Sequence, residues 1–442
     1  MANHILLERI ELNASAASVT FANIPQTGYT DLKIVCSVRT DRGAVADTLN
    51  ITFNNGTTYA IKSAYGNSAL ASVTGYTAST LEAVWTSAAS NAANVFGSSE
   101  IYITNYLSSN AKVLSSDSVT EDNSTTGYQV LVAGLSSSTS AINSITLTSN
   151  TSSNIVAGSS FALYGIADVN ATPAIAPKAS GGNIQTDGTY WYHTFLSSGT
   201  FTPAVGLSCD LLVIGAGAGG AKNGGGGAGV LTYSAANSLT ATSYTVTVGA
   251  GGAGGGTISA AVGTSGGASS INSISGAGGT GGRGVSAATN PLQGGDSGSF
   301  TGGAGAAATI YRGGGGGAGT SGNGTTGVAA GSSGNNTGGA GGIGSNTYSS
   351  WASATSTGVS GYYASGGGGG GGYSTGYNSA GGSASSGGGG AGGAGGGNTA
   401  VSGTVGTANT GGGGGGGGVG GITDGSGVAG GSGIVIIRYT IA

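Results

Sequence analysis

Leu32-Lys33-Ile34-Val35-Cys36-Ser37-Val38-Arg39 decides the class of fold. Leu32, Ile34, Cys36 and Val38 fall on one side of an extended chain, and Lys33, Ser37 and Arg39 on the other. Successive side chains of a strand point to opposite faces, so the segment reads as a strand with one face in a core and one in water. Outward from it, Val19–Ile24, Leu49–Phe53, Leu81–Thr86, Glu100–Tyr106, Tyr128–Leu135, Ile142–Thr148 and Phe161–Ile166 are short runs rich in Val, Ile, Thr, Tyr and Phe. Gly, Asn, Asp and Ser separate them, and helical periodicity is nearly absent. Such a succession predicts an all-β fold, a jelly-roll-like β-sandwich over residues 1–169.

The chain is 442 residues long, which asks for two or more domains. Of its 99 glycines, 10 lie before position 181 and 89 from there on, so composition divides the chain at that point. Residues 170–182 include ATPAIAPKASGG, with two prolines and no period, and read as a linker. Residues 183–442 form a second, glycine-rich domain. It opens with GTYWYHTFLSSGTFTP, CDLLVIGAGAGG and GVLTYSAANSLTATSYTVTVGAGG and closes on Gly433–Ala442. The run Ile434–Ile437 has to be buried. Strands near Leu211–Ile214 and Tyr244–Val248 are its expected partners, which would close the region into a small sheet elaborated by glycine.

Glycine-rich sequence is flexible by default, because glycine loses the most backbone entropy on folding. Collagen needs a strict three-residue period with abundant proline, and no proline follows Pro291. The ordered alternative is a bundle of polyglycine II helices. Such a helix makes no internal hydrogen bonds, so neighbouring helices must satisfy its backbone groups at a distance that excludes a Cβ. The runs Gly313–Gly317, Gly366–Gly372, Gly387–Gly390 and Gly411–Gly418 fit it. The longer of them would span on the order of 22 Å.

Net charge is −4 and only 6% of residues are charged. No stripe of Lys and Arg is present, which disfavours nucleic acid and an anionic membrane surface as partners. Neutral or weakly charged partners such as sugars remain. The opening MANHILLERI carries Glu8 and Arg9 where an apolar signal core would stand, and no apolar run is long enough to span a membrane. Synthesis in a cytoplasm is the expectation, with export, if any, by a route that needs no such signal. Cys36 and Cys209 lie in different halves, and two free, partly buried thiols is the plainer reading over a disulfide.

Catalytic patterns fail on context, and no cofactor, metal or catalytic residue is expected. Gly215-Ala216-Gly217-Ala218-Gly219-Gly220 matches a dinucleotide fingerprint, but AKNGGGGAGV follows it and cannot be the helix that a pyrophosphate requires. Gly263-Thr264-Ser265-Gly266-Gly267 matches G-x-S-x-G in a segment where chance provides it, and only His4 and His193 exist as bases. Asp117, Glu121 and Asp122 cluster in what reads as a solvated polar loop, with calcium as an unsupported alternative. The aromatic set between glycine runs stands out instead: Tyr348, Trp351, Tyr362, Tyr363, Tyr373 and Tyr377, with Tyr311 and Arg312 upstream. Closely packed glycine helices leave no room for such side chains, so they are expected on loops. There they either contact a receptor or pack against the small sheet or a second subunit.

FANIPQTGYTDLKIVCSVRT, FGSSEIYITNY, SSDSVTEDNSTTGYQVLVAGLSSSTSAINSITLTS and FALYGI resemble a β-sandwich domain of bacteriophage virion proteins, over nearly all of 1–167. YWYHTFLSSGTFTP, CDLLVIGAGAGG, SYTVTVGAGGAGG and GSGIVIIRY resemble the glycine-rich domain at the ends of phage tail fibres and tail-tip adhesins, over about 190–442. The resemblance implies a rigid glycine core whose variable tip loops bind a bacterial surface receptor, a polysaccharide or an outer-membrane protein. It also implies a virion (tail) location, other tail proteins as partners and a homotrimer. A purely structural decoration, collar or baseplate protein is the alternative. An ice-binding bundle is a third, but it would want a regular Thr or Ala face that the spacing here does not provide.

Overall fold

The computed structural model describes residues 4–56, 58–67, 70–121, 127–167, 176–257, 262–284, 292–306, 312–331, 334–374 and 378–441. The chain divides into two compact units, Met1–Trp191 with Thr440–Ala442, and Tyr192–Tyr439.

In the first unit each run expected as a strand forms one, and further strands that the runs do not predict join them. The strands are β1 (His4–Glu11), β2 (Ser18–Phe21), β3 (Tyr29–Val38), β4 (Ala46–Phe53), β5 (Tyr59–Asn67), β6 (Leu70–Ala78) and β7 (Leu81–Ser87). There follow β8 (Gly97–Ile103), β9 (Lys112–Glu121), β10 (Gly127–Ser136), β11 (Ile145–Ser149), β12 (Ser160–Ala167), β13 (Ala179–Ser180) and β14 (Asn183–Thr186). β13 lies inside the stretch that reads as linker. One sheet runs β14-β1-β12-β3-β8-β9-β10-β5-β6 and the other β2-β11-β4-β7. Leu32, Ile34, Cys36 and Val38 are all buried, as the alternation in β3 predicts. They share one core with Phe21, Leu49, Ile51, Phe53, Ile145 and Leu147 of the facing sheet.

One expectation is corrected here. Asp117 and Glu121 belong to β9, not to a polar loop, and Asp117 stands opposite Leu131 of β10. Asp122 lies outside the described residues. β9 escapes an apolarity reading because Ser116, Ser118 and Thr120 take its inward positions.

The second unit holds the rest: β15 (Tyr190–Phe195, which starts in the first unit), β16 (Gly199–Pro203), β17 (Leu207–Ile214), β18 (Leu231–Leu239) and β19 (Tyr244–Thr247). After β20 (Ser269–Ile271) and β21 (Ile274–Gly276) come α1 (Ser349–Thr355) and β22 (Ile434–Thr440). β18-β17-β22-β15 are neighbours in one sheet and β16-β19-β20-β21 in another. β22 pairs antiparallel with β17, Ile434 opposite Ile214 and Ile437 opposite Leu211, so the start and end of the region meet as expected. The second expected partner is corrected: β19 pairs with β16 and β20, because β15 occupies the other side of β22.

Between these strands the glycine segments run as polyglycine II helices. In Gly366–Gly372 the amides of 366, 369 and 372 donate to the carbonyls of Gly342, Gly339 and Asn336. Those of 367 and 370 donate to Gly226 and Asn223, and those of 368 and 371 to Gly390 and Gly393, all at 2.6–2.9 Å. Three residues per turn aim successive amides in three directions, so each helix bonds three neighbours. Gly413–Val419 repeats the pattern toward 365/368/371, 218/221 and 404/401. The contacts forbid a side chain: a Cβ on Gly370 would stand 2.0 Å from the carbonyl oxygen of Gly417.

Candidate functional site

The hydrogen-bond register gives the bundle two ends. Residues 214, 231 and 434 pass directly into β17, β18 and β22, which defines a sheet end. The turn 221–224 lies at the other, because Ala218 bonds Gly227 and Ala221 bonds Gly224. Gly367 bonds Gly226 and Gly370 bonds Asn223, so residue 373 reaches the far end and residue 363 the sheet end. Gly314 and Gly317 bond Gly370 and Gly367, which puts Arg312 at the far end too. The aromatic set that the sequence singles out is therefore split between opposite ends.

At the sheet end, residues 345–357 contain no glycine, and within them Ser349–Thr355 can wind into α1. The helix stops at Ser356, whose φ of 51° is left-handed. Trp351 is 2% exposed. Its ring meets Tyr192, Tyr348 and Tyr233 edge-on at 5.8, 5.9 and 6.1 Å between centroids. Arg438 lies over it at 4.4 Å and is held by Asp210 through Nε at 3.1 Å and a terminal nitrogen at 3.0 Å. Tyr363 is wholly buried, its hydroxyl hydrogen-bonded to Thr357, and burial pushes that phenol up to about 12. The expectation of a loop is corrected for Trp351, which lies in α1, and for Trp351 and Tyr363 the packing alternative holds. Residues of the sheet, Tyr192, Tyr233 and Arg438, provide the room for Trp351 that the glycine helices lack, and Tyr363 is buried beside Thr357. Tyr348 and Tyr362 remain half-buried beside them.

At the far end Arg312 and Tyr373 are half-buried. The Arg312 carbonyl accepts from Asn223 Nδ2 at 3.3 Å and the Tyr373 carbonyl from Asn336 Nδ2 at 2.8 Å, which anchors both turns through backbone. Lys222 makes an ion pair with Asp424, and Asp424 accepts from the Gly420 amide at 3.1 Å. Ile422 is 78% exposed and Val401 59%. Tyr311 and Tyr377 lie outside the described residues. The sequence reading missed Lys222, Asp424, Val401 and Ile422. Their signal was present as the charged and aliphatic breaks in glycine, but nothing in one dimension shows that they converge.

The segment Gly215–Gly220 continues β17 as polyglycine II, its amides bonding Val230, Gly267, Gly431, Gly227, Thr264 and Val428 in turn, with no helix after it. His193 is buried, with Nε2 3.1 Å from the Tyr439 hydroxyl and its ring against Phe201. Cys36 and Cys209 are free and buried, and burial pushes both thiols up to about 12. Among the described residues no helix is long and apolar enough to cross a membrane.

A family model described as a glycine-rich domain matches residues 195–440, which takes in the bundle and its sheet. No curated protein matches the chain.

Proposed function

The chain belongs to the glycine-rich domain family, and from that premise we propose that it is a non-catalytic attachment protein of a bacteriophage tail, a fibre or tail-tip protein. In this reading the far end of the bundle contacts a bacterial surface molecule, a polysaccharide or an outer-membrane protein. The observation that carries it is the division of labour in the second unit. The chain crosses into and out of this unit at Tyr192 and Tyr439, in neighbouring strands of the sheet. The end remote from both crossings carries Lys222, Arg312 and Asp424, the exposed aliphatics Val401 and Ile422, and Tyr373. A lattice with three hydrogen-bonded neighbours per helix holds those turns rigidly, so little entropy is lost when they bind. Several copies on one particle, three in the resembling fibres, would add avidity without new contacts.

A second reading has its own observation. Trp351 and Tyr363 are spent on packing, as in a decoration, collar or baseplate protein with no receptor role. Fluorescently labelled full-length protein, applied to a panel of bacterial strains, separates the two. Saturable binding to some strains, competed by their soluble surface polysaccharide or by loss of one outer-membrane protein, supports attachment. Absence of binding to the strain that the parent particle infects favours the structural role.

A further inference from the structure

We propose that the outward face of β9-β10-β5-β6 is a self-association surface, on which a second copy of this chain packs the same face. The proposal is independent of the receptor reading.

β9 is inside out. Ser116, Ser118 and Thr120 point into the sandwich, while Val113 and Val119 point out. A one-residue slip would exchange the two sets. Hydroxyl bonds pin the strand against it, Ser116 to the Ala83 carbonyl at 2.5 Å and Thr120 to Ser87 at 2.7 Å, and the Ser118 hydroxyl is buried with no partner. The strand thus accepts a polar interior and keeps its valines outside. Nor do they stand alone: Val113 is opposite Leu135, which is opposite Ala60, and Leu131 lies between Asp117 and Ala64, which is opposite Val73. Val119 and Leu131 are 51% and 52% exposed and Val73 78%. Scattered exposed aliphatics need no explanation, but rows of them across adjoining strands mark a contact surface.

Charge selects the occupant. Glu100, opposite Asp117 on β8, is taken up by Lys33, and Glu121 ends β9 with Oε1 buried, which leaves one exposed cation, Lys62, and one exposed anion, Asp117, in adjacent rows and two strands apart. Neither forms an ion pair among the described residues. A face whose exposed charges outside ion pairs are one of each sign is complementary to itself turned over, because a two-fold axis makes residue i meet j and j meet i, giving two Lys62–Asp117 pairs. Relief agrees with this: over Ala64 and Gly66, between Leu131 and Val73, lies a hollow of about 510 Å³ that can take an aliphatic knob from the other copy. An acidic or basic partner would leave one of the two charges opposed.

The test is the mass of the full-length chain by light scattering across a dilution series, with unfolding followed in parallel. The account expects a dimer, and monomers for Val119→Asp and Leu131→Asp with the unfolding midpoint kept. Lys62→Asp and Asp117→Lys should each weaken association about tenfold or more, and the double exchange should restore it. The charge exchange keeps the test valid should an aspartate in the apolar rows impair folding. A monomer throughout overturns the proposal. So does a trimer or dimer whose mass ignores all four substitutions, since association then uses another surface, and so does a double exchange that fails to restore.

Discussion

Arg438 stands directly across from Asp210 in the β17–β22 ladder and holds its carboxylate by two nitrogens, while the ring of Trp351 covers the same guanidinium at 4.4 Å. A strand at one end of the glycine-rich region, a strand at the other, and a helix inserted between glycine runs are joined by this one cation. Desolvation alone would lower the Arg438 pKa, but the bonds to Asp210 and Tyr192 leave it raised on balance.

Trp351→Ala should therefore act on stability. Truncating a buried tryptophan costs about 3–5 kcal/mol, and here the cation–π contact goes with it. Guanidinium unfolding of the second unit should show that loss. Cell binding measured well below the unfolding transition should be unchanged.

Gly370→Ala should prevent the bundle from forming, because the new methyl would collide with the Gly417 carbonyl and no rotamer avoids a backbone atom. Gly206→Ala is the control. A Cβ there meets nothing closer than 3.9 Å, so the substitution should be neutral or stabilise by about 0.4–1 kcal/mol through the unfolded chain. Soluble yield and unfolding midpoints of the two variants check this.

Glu8 makes folding of the first unit pH-dependent. Burial raises its pKa well above the ordinary 4.5, and a hydrogen bond from Gln185 offsets only part of the rise. The folded state then binds the proton more tightly than the unfolded state, so its stability contribution is complete below pH 4.5 and is lost as pH rises toward the folded pKa. Glu8→Gln should gain stability over the parent as pH increases from that value toward neutrality, and show no such trend below it. Urea unfolding at a series of pH values reads the difference.

The buried thiols give a kinetic check on both units. With their pKa values pushed up to about 12, Cys36 and Cys209 should stay silent to a thiol reagent at about pH 8 in the native protein. Both should react at once after denaturation. Fast native reaction of either would place it at a surface.

Much of the fold was legible because its signals are local. The alternation in Leu32–Arg39 and the apolar run Ile434–Ile437 each need only their own residues, and β3 and β22 form where they predict. β9 was not legible, since its inward positions carry hydroxyls and its outward ones valines, and only the facing strand β7 explains why. The site was half legible. Aromatic breaks in glycine were recognised, but which end of the bundle each break reaches depends on hydrogen-bond register between segments far apart in the chain, such as Gly367 with Gly226 and Gly217 with Gly431. That register divides Tyr348, Trp351, Tyr362 and Tyr363 from Arg312 and Tyr373.

The most direct test of the central claim compares the two ends in the same assay. Arg312→Glu, Tyr373→Ala and Ile422→Asp alter the far end, and Tyr348→Ala and Tyr362→Ala the sheet end. Binding of each full-length variant to a strain that the parent protein labels is measured at equal folded concentration. The account predicts that the far-end changes lower affinity about tenfold or more, as for residues central to an interface, while the sheet-end changes leave it alone. Loss of binding from the sheet-end variants, with the far-end variants intact, would contradict it.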